Sequence, residues 1–129
     1  MIGENRKQIL IVEDDETISS VLRMRLKSSG YDLFQAQNGE EALALLENEL
    51  PDLILLDLMM PTMGGWETCR RIRQNERTKK IPIFIVSALR SENDKQQAKL
   101  YGANEIFVKP VDLDSLLKKI RSYLGSPFK

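Results

Sequence analysis

The sequence contains no histidine and only one cysteine, and these absences exclude several kinds of site. Ser-His-Asp and Cys-His catalysis need an imidazole, and the usual zinc sites need histidine or several cysteines. Cys69 alone cannot form an intramolecular disulfide, which suits a reducing compartment. No apolar run is long enough to span a bilayer, and the polar segment Met1 to Lys7 is not a signal peptide. We therefore expect a cytoplasmic protein with no membrane contact.

The chain also lacks an excess of either charge, with 19 lysines and arginines against 19 aspartates and glutamates. A balanced surface gives no reason to expect direct binding to nucleic acid or to a membrane surface. The 129 residues are enough for one domain with a real core and too few for two.

What the sequence does contain is a regular alternation of two patterns. The stretch Leu53 to Leu56 is continuously apolar and bounded by Pro51 and Pro61, as in a strand buried on both faces of a parallel sheet. We predict five strands at Gln8–Val12, Asp32–Ala36, Leu53–Leu56, Ile81–Val86 and Glu105–Val108, with Asp32–Ala36 towards an edge and Pro82 near the start of the fourth. Apolar residues at helical spacing predict helices at Thr17–Ser29, Asn38–Leu46 and Asp112–Leu124, the last capped by Asp112 or Asp114. We also predict an arginine-rich helix at Trp66–Asn75 and a polar, weakly amphipathic helix at Ser91–Tyr101.

This alternation predicts a single doubly wound α/β domain, a parallel five-stranded sheet with right-handed crossovers and helices on both faces. We assign residues 1–124 to the domain and residues 125–129 to a C-terminal tail or the start of a linker. No effector domain follows residue 124, so the sequence leaves open a stand-alone regulator or a piece of a longer protein.

Four of the predicted strands carry reactive side chains at their carboxyl ends: Glu13 and Asp14, Asp57, Ser87, and Lys109. Ligands of open parallel sheets bind outside these ends. Converging carboxylates repel one another unless a cation lies between them, and hard oxygen ligands suit Mg²⁺. A lysine and a hydroxyl at the same edge suit a phosphoryl group, with Asp57 as the nucleophile that forms an aspartyl phosphate.

Each residue alone has a structural explanation. Asp57 and Ser87 fit turn or cap positions, the acidic run that begins at Glu13 fits a helix N-terminus, and Lys109 fits an ordinary surface lysine. The coincidence of suitable residue types at four strand ends favours the site.

The motifs that surround these residues resemble the response-regulator receiver domain of two-component signalling, over nearly all of residues 7 to 124. They are Ile9-Leu10-Ile11-Val12-Glu13-Asp14-Asp15, Asp52-Leu53-Ile54-Leu55-Leu56-Asp57, Met60-Pro61 with Gly65, Val86-Ser87-Ala88, Gly102-Ala103 and Val108-Lys109-Pro110. The resemblance implies the strand order 2-1-3-4-5 of chemotaxis regulators, which the residue pattern does not itself give.

By the same resemblance, Asp57 accepts a phosphoryl group from a phosphohistidine on a sensor histidine kinase or a phosphotransfer protein. Mg²⁺ is bound directly by Asp14, Asp57 and the backbone carbonyl of Met59, while Glu13 acts mostly through bound water. Such a domain is a signalling receiver rather than an ordinary enzyme. It catalyses its own phosphorylation and slow autodephosphorylation, and it passes the signal to a downstream protein or to an effector domain missing from this chain.

The resemblance also assigns contacts with the phosphoryl oxygens to Ser87 and Lys109. It places docking of the kinase or phosphotransfer protein at the start of the first helix and in the loop after the fifth strand. The residues there are Ile18, Val21 and Pro110, of which Ile18 and Val21 fit a core role equally well.

The sequence departs from the family at the expected switch. An aromatic residue is usual three positions before the lysine, but Ile106 stands there and Phe107 follows it, turned to the other face of the strand. We therefore expect the conformational change to centre on Ser87 and the loop of residues 87–92. Met59 and Leu89, which in the family border the path of the hydrolytic water, are apolar, so the aspartyl phosphate should be fairly long-lived.

Three other functions compete with a phosphorylated receiver. A receiver that only binds partners would not need the intact residue set. A flavodoxin-type FMN carrier needs a first loop rich in Ser, Thr and Gly, whereas Glu13-Asp14-Asp15-Glu16 would repel phosphate. An aspartate phosphatase places an acid two residues after its nucleophile, where this chain has Met59.

Overall fold

Strands and helices alternate strictly along the chain. The computed structural model describes residues 5–59, 63–88 and 92–128. Its elements are β1 (Gln8–Val12), α1 (Glu16–Ser28), β2 (Asp32–Ala36), α2 (Gly39–Leu45), β3 (Leu53–Leu56), α3 (Gly65–Gln74), β4 (Ile83–Ser87), α4 (Glu92–Leu100), β5 (Glu105–Val108) and α5 (Leu113–Leu124). They agree with the predicted elements to within two residues. One detail is wrong: β4 begins at Ile83, so Pro82 precedes the strand instead of lying within it.

The five strands form one parallel sheet in the order β2-β1-β3-β4-β5. The three strands richest in buried apolar residues, β1, β3 and β4, therefore lie in the interior of the sheet, and β2 is an edge strand as expected. This confirms the predicted α/β class and the strand order that the resemblance implied.

Side-chain caps fix the start of the helices that flank the carboxyl edge of the sheet. The Asp15 carboxylate accepts hydrogen bonds from the N–H groups of Thr17 and Ile18, at 2.9 and 3.1 Å, and so begins α1. Asp112 caps α5 in the same way, which decides between the two candidates that the sequence offered. Each cap contributes about 1 kcal/mol.

Alternate residues of the sheet feed two separate cores. Ile9, Leu53 and Phe84 belong to the core covered by α1 and α5, which also receives Phe107. Leu10, Ile54 and Ile85 belong to the core covered by α2 and α3, and Ile106 packs against that one. The predicted opposition of residues 106 and 107 is thereby confirmed.

The tail of residues 125–128 packs back on the start of the chain rather than ending free of contacts. The N–H of Lys7 donates to the Pro127 carbonyl at 2.7 Å, and Arg6 and Phe128 form an isolated antiparallel bridge. The Arg6 guanidinium also lies 5.5 Å from the centre of the Phe128 ring. Residues 6–7 and 127–128 therefore meet near the amino ends of β1 and β2.

The helices are short and pack on the two cores through one face each. In the described part of the chain, none combines the length and the apolar character that crossing a bilayer requires.

Candidate functional site

The fold brings the reactive residues of four strand ends to one edge of the sheet. Glu13 and Asp14 follow β1, Asp57 follows β3, Ser87 is the last residue of β4, and Lys109 follows β5. These four strands are consecutive neighbours in the sheet and parallel, so their carboxyl ends are adjacent. Neighbouring strand ends are tied together, since the N–H of Lys109 donates to the Ser87 carbonyl at 2.9 Å.

Lys109 links two carboxylates within this edge. Its ammonium nitrogen lies 2.8 Å from Glu13 Oε1 and 3.3 Å from Asp57 Oδ2. Glu13 and Asp57 are only 3% and 4% exposed, and the Lys109 side chain is 19% exposed. Two buried carboxylates thus share one ammonium group, which leaves an excess of negative charge.

The titration of Glu13 reflects its burial first and its neighbours Lys109 and Asp57 second. Burial is the main cause that raises its pKa to about 7, the nearby Asp57 adds to the rise, and the hydrogen bond from Lys109 opposes it. Burial also acts on Lys109, where it lowers the pKa, but the hydrogen bond to Glu13 and the two carboxylate charges outweigh it and leave the pKa raised. Without a further cation, Glu13 is therefore partly protonated near neutral pH while Lys109 stays charged.

Main-chain groups orient the carboxylates. The N–H of Met59 donates to Asp57 Oδ1 at 3.1 Å, so each oxygen of Asp57 has one donor. The N–H of Asp15 donates to Glu13 Oε2 at 3.2 Å. Asp57 is thus held in a fixed orientation before any ligand binds.

The acidic residues fit a divalent cation. Glu13, Asp14 and Asp57 each offer a carboxylate oxygen, and these atoms all lie within 4.8 Å of one another. Asp14 is exposed, so the group is open to solvent on one side. Carboxylate oxygens and access for water are what Mg²⁺ requires, because it retains several of its water ligands.

Ser87 supplies a buried hydroxyl at the same edge. Its side chain is fully buried, and its Oγ has no hydrogen-bond partner among the residues that the structure describes. Leaving a buried hydroxyl unpaired costs about 1–3 kcal/mol, so a ligand oxygen that paired with it would be favoured.

The three predicted docking residues line one groove beside the cluster. Ile18 and Val21 contribute from α1 and Pro110 from the loop after β5, and the groove has a volume of about 440 Å³. Ile18 packs partly against the core, while Val21 is 49% exposed. Lys109 also lines the groove, so it is continuous with the carboxylate cluster.

Two predicted residues lie elsewhere. Ile106 is half-buried on the face of the sheet opposite to α1 and α5, where it lines a groove between α4 and β5. Residues 89–91 of the loop 87–92, Leu89 among them, fall outside the described residues, so the structure does not bear on them.

Sequence reasoning missed the need for Gly65. A Cβ on this residue would lie 2.5 Å from the Leu58 Cα and 2.7 Å from the Asp57 carbonyl oxygen. Only glycine lets the start of α3 approach the backbone that carries Asp57 so closely. The signal in the sequence is the position of Gly65 in the motif after Met60-Pro61.

Known proteins share this architecture. The PilH protein of Pseudomonas aeruginosa is 37% identical over 118 residues, which cover 92% of this chain and 98% of PilH. The DNA-binding dual master transcriptional regulator RpaA of Synechocystis is 40% identical over 117 residues, or 91% of this chain and 48% of RpaA. The receiver domain of the sensor histidine kinase PA1611 from Pseudomonas aeruginosa, solved with a magnesium ion coordinated in its active site cleft, matches with a TM-score of 0.85 and 28% identity, covering 94% of this chain and 99% of that one.

The extent of these matches differs. The chain spans about half the length of RpaA but nearly all of PilH. The sequence model of the response regulator receiver domain family matches residues 9–121, which include both acidic strand ends and Lys109. The chain belongs to the response regulator receiver domain family of two-component systems.

Proposed function

We propose that Asp57 accepts a phosphoryl group from a phosphohistidine, and that its phosphorylation alters the surface recognised by a downstream partner. The observation that carries the proposal is the cluster itself: three carboxylates within 4.8 Å, with the ammonium of Lys109 3.3 Å from Asp57 Oδ2. The donor would be a sensor histidine kinase or a histidine phosphotransfer protein.

The chemistry follows from the orientation of Asp57. One carboxylate oxygen attacks phosphorus, the P–N bond to the donor imidazole breaks, and the electron pair returns to that imidazole. The hydrogen bond from Met59 N–H to Oδ1 leaves Oδ2, beside Lys109, as the oxygen that reacts. Lys109 and the unpaired hydroxyl of Ser87 are then placed to bind oxygens of the transferred group.

Glu13, Asp14 and Asp57 would hold Mg²⁺, with the main-chain carbonyl of Met59 as a further ligand. When bound, the ion neutralises charge on the transferring phosphoryl group. Three carboxylates lie within 4.8 Å of one another beside the single ammonium group of Lys109, and this excess of negative charge supports a resident cation.

Incubation with acetyl phosphate tests the phosphoacceptor. We expect one phosphoryl group per chain by intact-mass spectrometry, only with Mg²⁺ present, and none on Asp57→Asn. Asp52→Asn is the matched control because Asp52 lies at the other end of β3, where it accepts a hydrogen bond from the Gln8 N–H at 2.8 Å. It should be phosphorylated like the wild type, whereas a phosphoryl group on Asp57→Asn would refute the assignment.

The same experiment decides the competing function. A receiver that binds partners without taking phosphate would stay unmodified in every variant. Asp14→Asn distinguishes metal binding from chemistry, since we expect it to raise the Mg²⁺ concentration needed for half-maximal phosphorylation.

We further propose that the groove of Ile18, Val21 and Pro110 receives the donor protein, since it opens directly beside Lys109. Val21→Lys places a charge on an exposed position and should fold normally. Transfer from a phosphorylated histidine phosphotransfer protein should slow more than transfer from acetyl phosphate. Equal slowing with both donors would contradict docking at this groove.

The switch is proposed to involve Ser87 and Ile106. Phosphate would draw the Ser87 hydroxyl towards it, and Ile106 would fill part of the space without exchanging hydrogen bonds. A shift from one to ninety-nine per cent active requires about 5.5 kcal/mol of differential binding. Amide chemical shifts with beryllium fluoride should change most in residues 87–92 and α4; the largest changes around Ile106 and Phe107 would overturn this view.

A further inference from the structure

Met59 combines exposure with a fixed position beside Asp57. Its side chain is 71% exposed, although the neighbouring carboxylates of Glu13 and Asp57 are almost fully buried. Its N–H donates to Asp57 Oδ1 at 3.1 Å, which keeps residue 59 at the solvent side of the cluster. An exposed, oxidisable thioether is therefore carried by a residue whose backbone binds Asp57.

Other sulfur atoms of the chain provide a comparison. Met24 on α1 is 73% exposed, nearly the same as Met59, and takes no part in the cluster. Cys69 is fully buried, its Sγ donates to the Tyr101 carbonyl at 3.2 Å, and burial raises the pKa of its thiol to about 11. The thiolate is the reactive form of cysteine, so a peroxide should reach the exposed thioethers before this thiol.

We propose that Met59 is an oxidative modification site, at which conversion to the sulfoxide shortens the lifetime of the phosphoryl group on Asp57. The inference rests on the proposed function. In the modification, the sulfur lone pair attacks one oxygen of hydrogen peroxide and an S–O bond forms as the O–O bond breaks. The departing hydroxide takes up the remaining proton as water, so sulfur loses two electrons and the peroxide gains them.

The expected effect follows from the hydrogen bonding of the two sulfur groups. Hydrolysis needs a water molecule aligned with phosphorus, opposite to the Asp57 oxygen that leaves. A thioether is a weak acceptor and does not order water, whereas a sulfoxide oxygen is a strong acceptor. One neutral hydrogen bond gained in the transition state accelerates hydrolysis about two- to tenfold.

The test uses the full chain, phosphorylated with acetyl phosphate and Mg²⁺ and then freed of donor. Loss of the phosphoryl group is followed by intact-mass spectrometry before and after limited treatment with hydrogen peroxide, and peptide mapping locates the sulfoxides. We expect similar oxidation of Met59 and Met24, a two- to tenfold faster loss after oxidation, and return to the original rate after treatment with methionine sulfoxide reductases.

Variants separate the two methionines. For each protein, the rate of phosphoryl loss after peroxide treatment is divided by the rate before treatment. Met59→Leu should bring this ratio to one, while Met24→Leu should keep the ratio of the wild type. Met59→Gln, which carries a carbonyl acceptor at similar length, should lose phosphate faster than Met59→Leu without any peroxide.

Three results would overturn the inference: an unchanged rate in oxidised wild type, a ratio that persists in Met59→Leu, or slower hydrolysis after oxidation. These outcomes all require a phosphorylated starting protein. A wild type that acetyl phosphate leaves unmodified would instead refute the proposed function, and the inference with it.

Discussion

Replacing Asp57 with asparagine should make the metal-free protein more stable. The perturbation removes one charge from a cluster of three carboxylates, two of which, Glu13 and Asp57, share the ammonium group of Lys109. Asparagine keeps nearly the same shape, and its Oδ1 can still accept the Met59 N–H, so packing should change little. The outcome is therefore decided by electrostatics.

The magnitude can be worked from the distances. At an effective dielectric constant of about 20, unit charges at the upper limit of 4.8 Å between the carboxylates interact by about 3.5 kcal/mol, and charges 3.3 Å apart by about 5 kcal/mol. Asp57 is repelled by Glu13 and Asp14 and attracted by Lys109, so the two repulsions exceed the one attraction by about 2 kcal/mol. Exposure of Asp14 reduces its share, but the desolvation of Asp57, only 4% exposed, acts in the same direction as the repulsion.

Thermal unfolding in EDTA at pH 8.5, where Glu13 is ionised, measures this difference. With about 2.1 cal/mol/K of unfolding entropy per residue, 2 kcal/mol corresponds to a Tm about 7 °C higher for a chain of this length. Glu49→Gln removes an exposed carboxylate outside the cluster and should stay within about 0.5 kcal/mol of the wild type. Saturating Mg²⁺ should reverse the order, because the wild type binds the ion with its full set of ligands.

A Tm for Asp57→Asn at or below that of the wild type in EDTA would refute the reasoning. It would mean that the attraction between Asp57 and Lys109 outweighs both repulsions and the burial of the charge.

Other expected outcomes concern pH, packing and signalling. The pKa of Glu13 is about 7 in the folded protein, above its ordinary 4.5. Protonation of Glu13 therefore stabilises the folded state fully below pH 4.5, and this contribution, about 3 kcal/mol, is lost as the pH rises through 7. Between pH 4.5 and pH 8 in EDTA, the free energy of unfolding measured with denaturant should fall less for Glu13→Gln than for the wild type. Gly65→Ala should lower the free energy of unfolding by about 1–3 kcal/mol and weaken Mg²⁺ binding in calorimetry, because its Cβ would meet the Leu58 backbone. Gly64→Ala is the control and should change neither, because the space around Gly64 is open. Ile106→Tyr should change affinity for the downstream partner, measured by titration, more than the rate of phosphorylation.

Much of the fold could be predicted because it depends on local pattern. The continuous apolar run of β3 and the apolar spacing of α5 are each sufficient to assign their elements, and short connections between alternating strands and helices permit few topologies. The position of Lys109 and Ser87 at strand ends could likewise be read directly, since a parallel sheet places all such ends at one edge.

The sequence assigned Glu13 and Asp14 to the predicted site, but it did not identify which residue of the acidic run caps the first helix. Glu13 and Asp14 join the cluster, whereas Asp15, the next residue, caps α1. The turn between β1 and α1 sends adjacent side chains in different directions, so residue type alone could not separate a ligand from a cap.

The amino-acid sequence by itself determined the elements, the edge of the sheet where the candidate site lies and the residue types gathered there. Only the tertiary structure decided that Lys109 pairs with Glu13 as well as Asp57, that the pKa of Glu13 is near 7, that Gly65 must lack a side chain and that the tail packs on Lys7. These properties arise from distances and burial between segments far apart in the chain. Local periodicity carries no information about either.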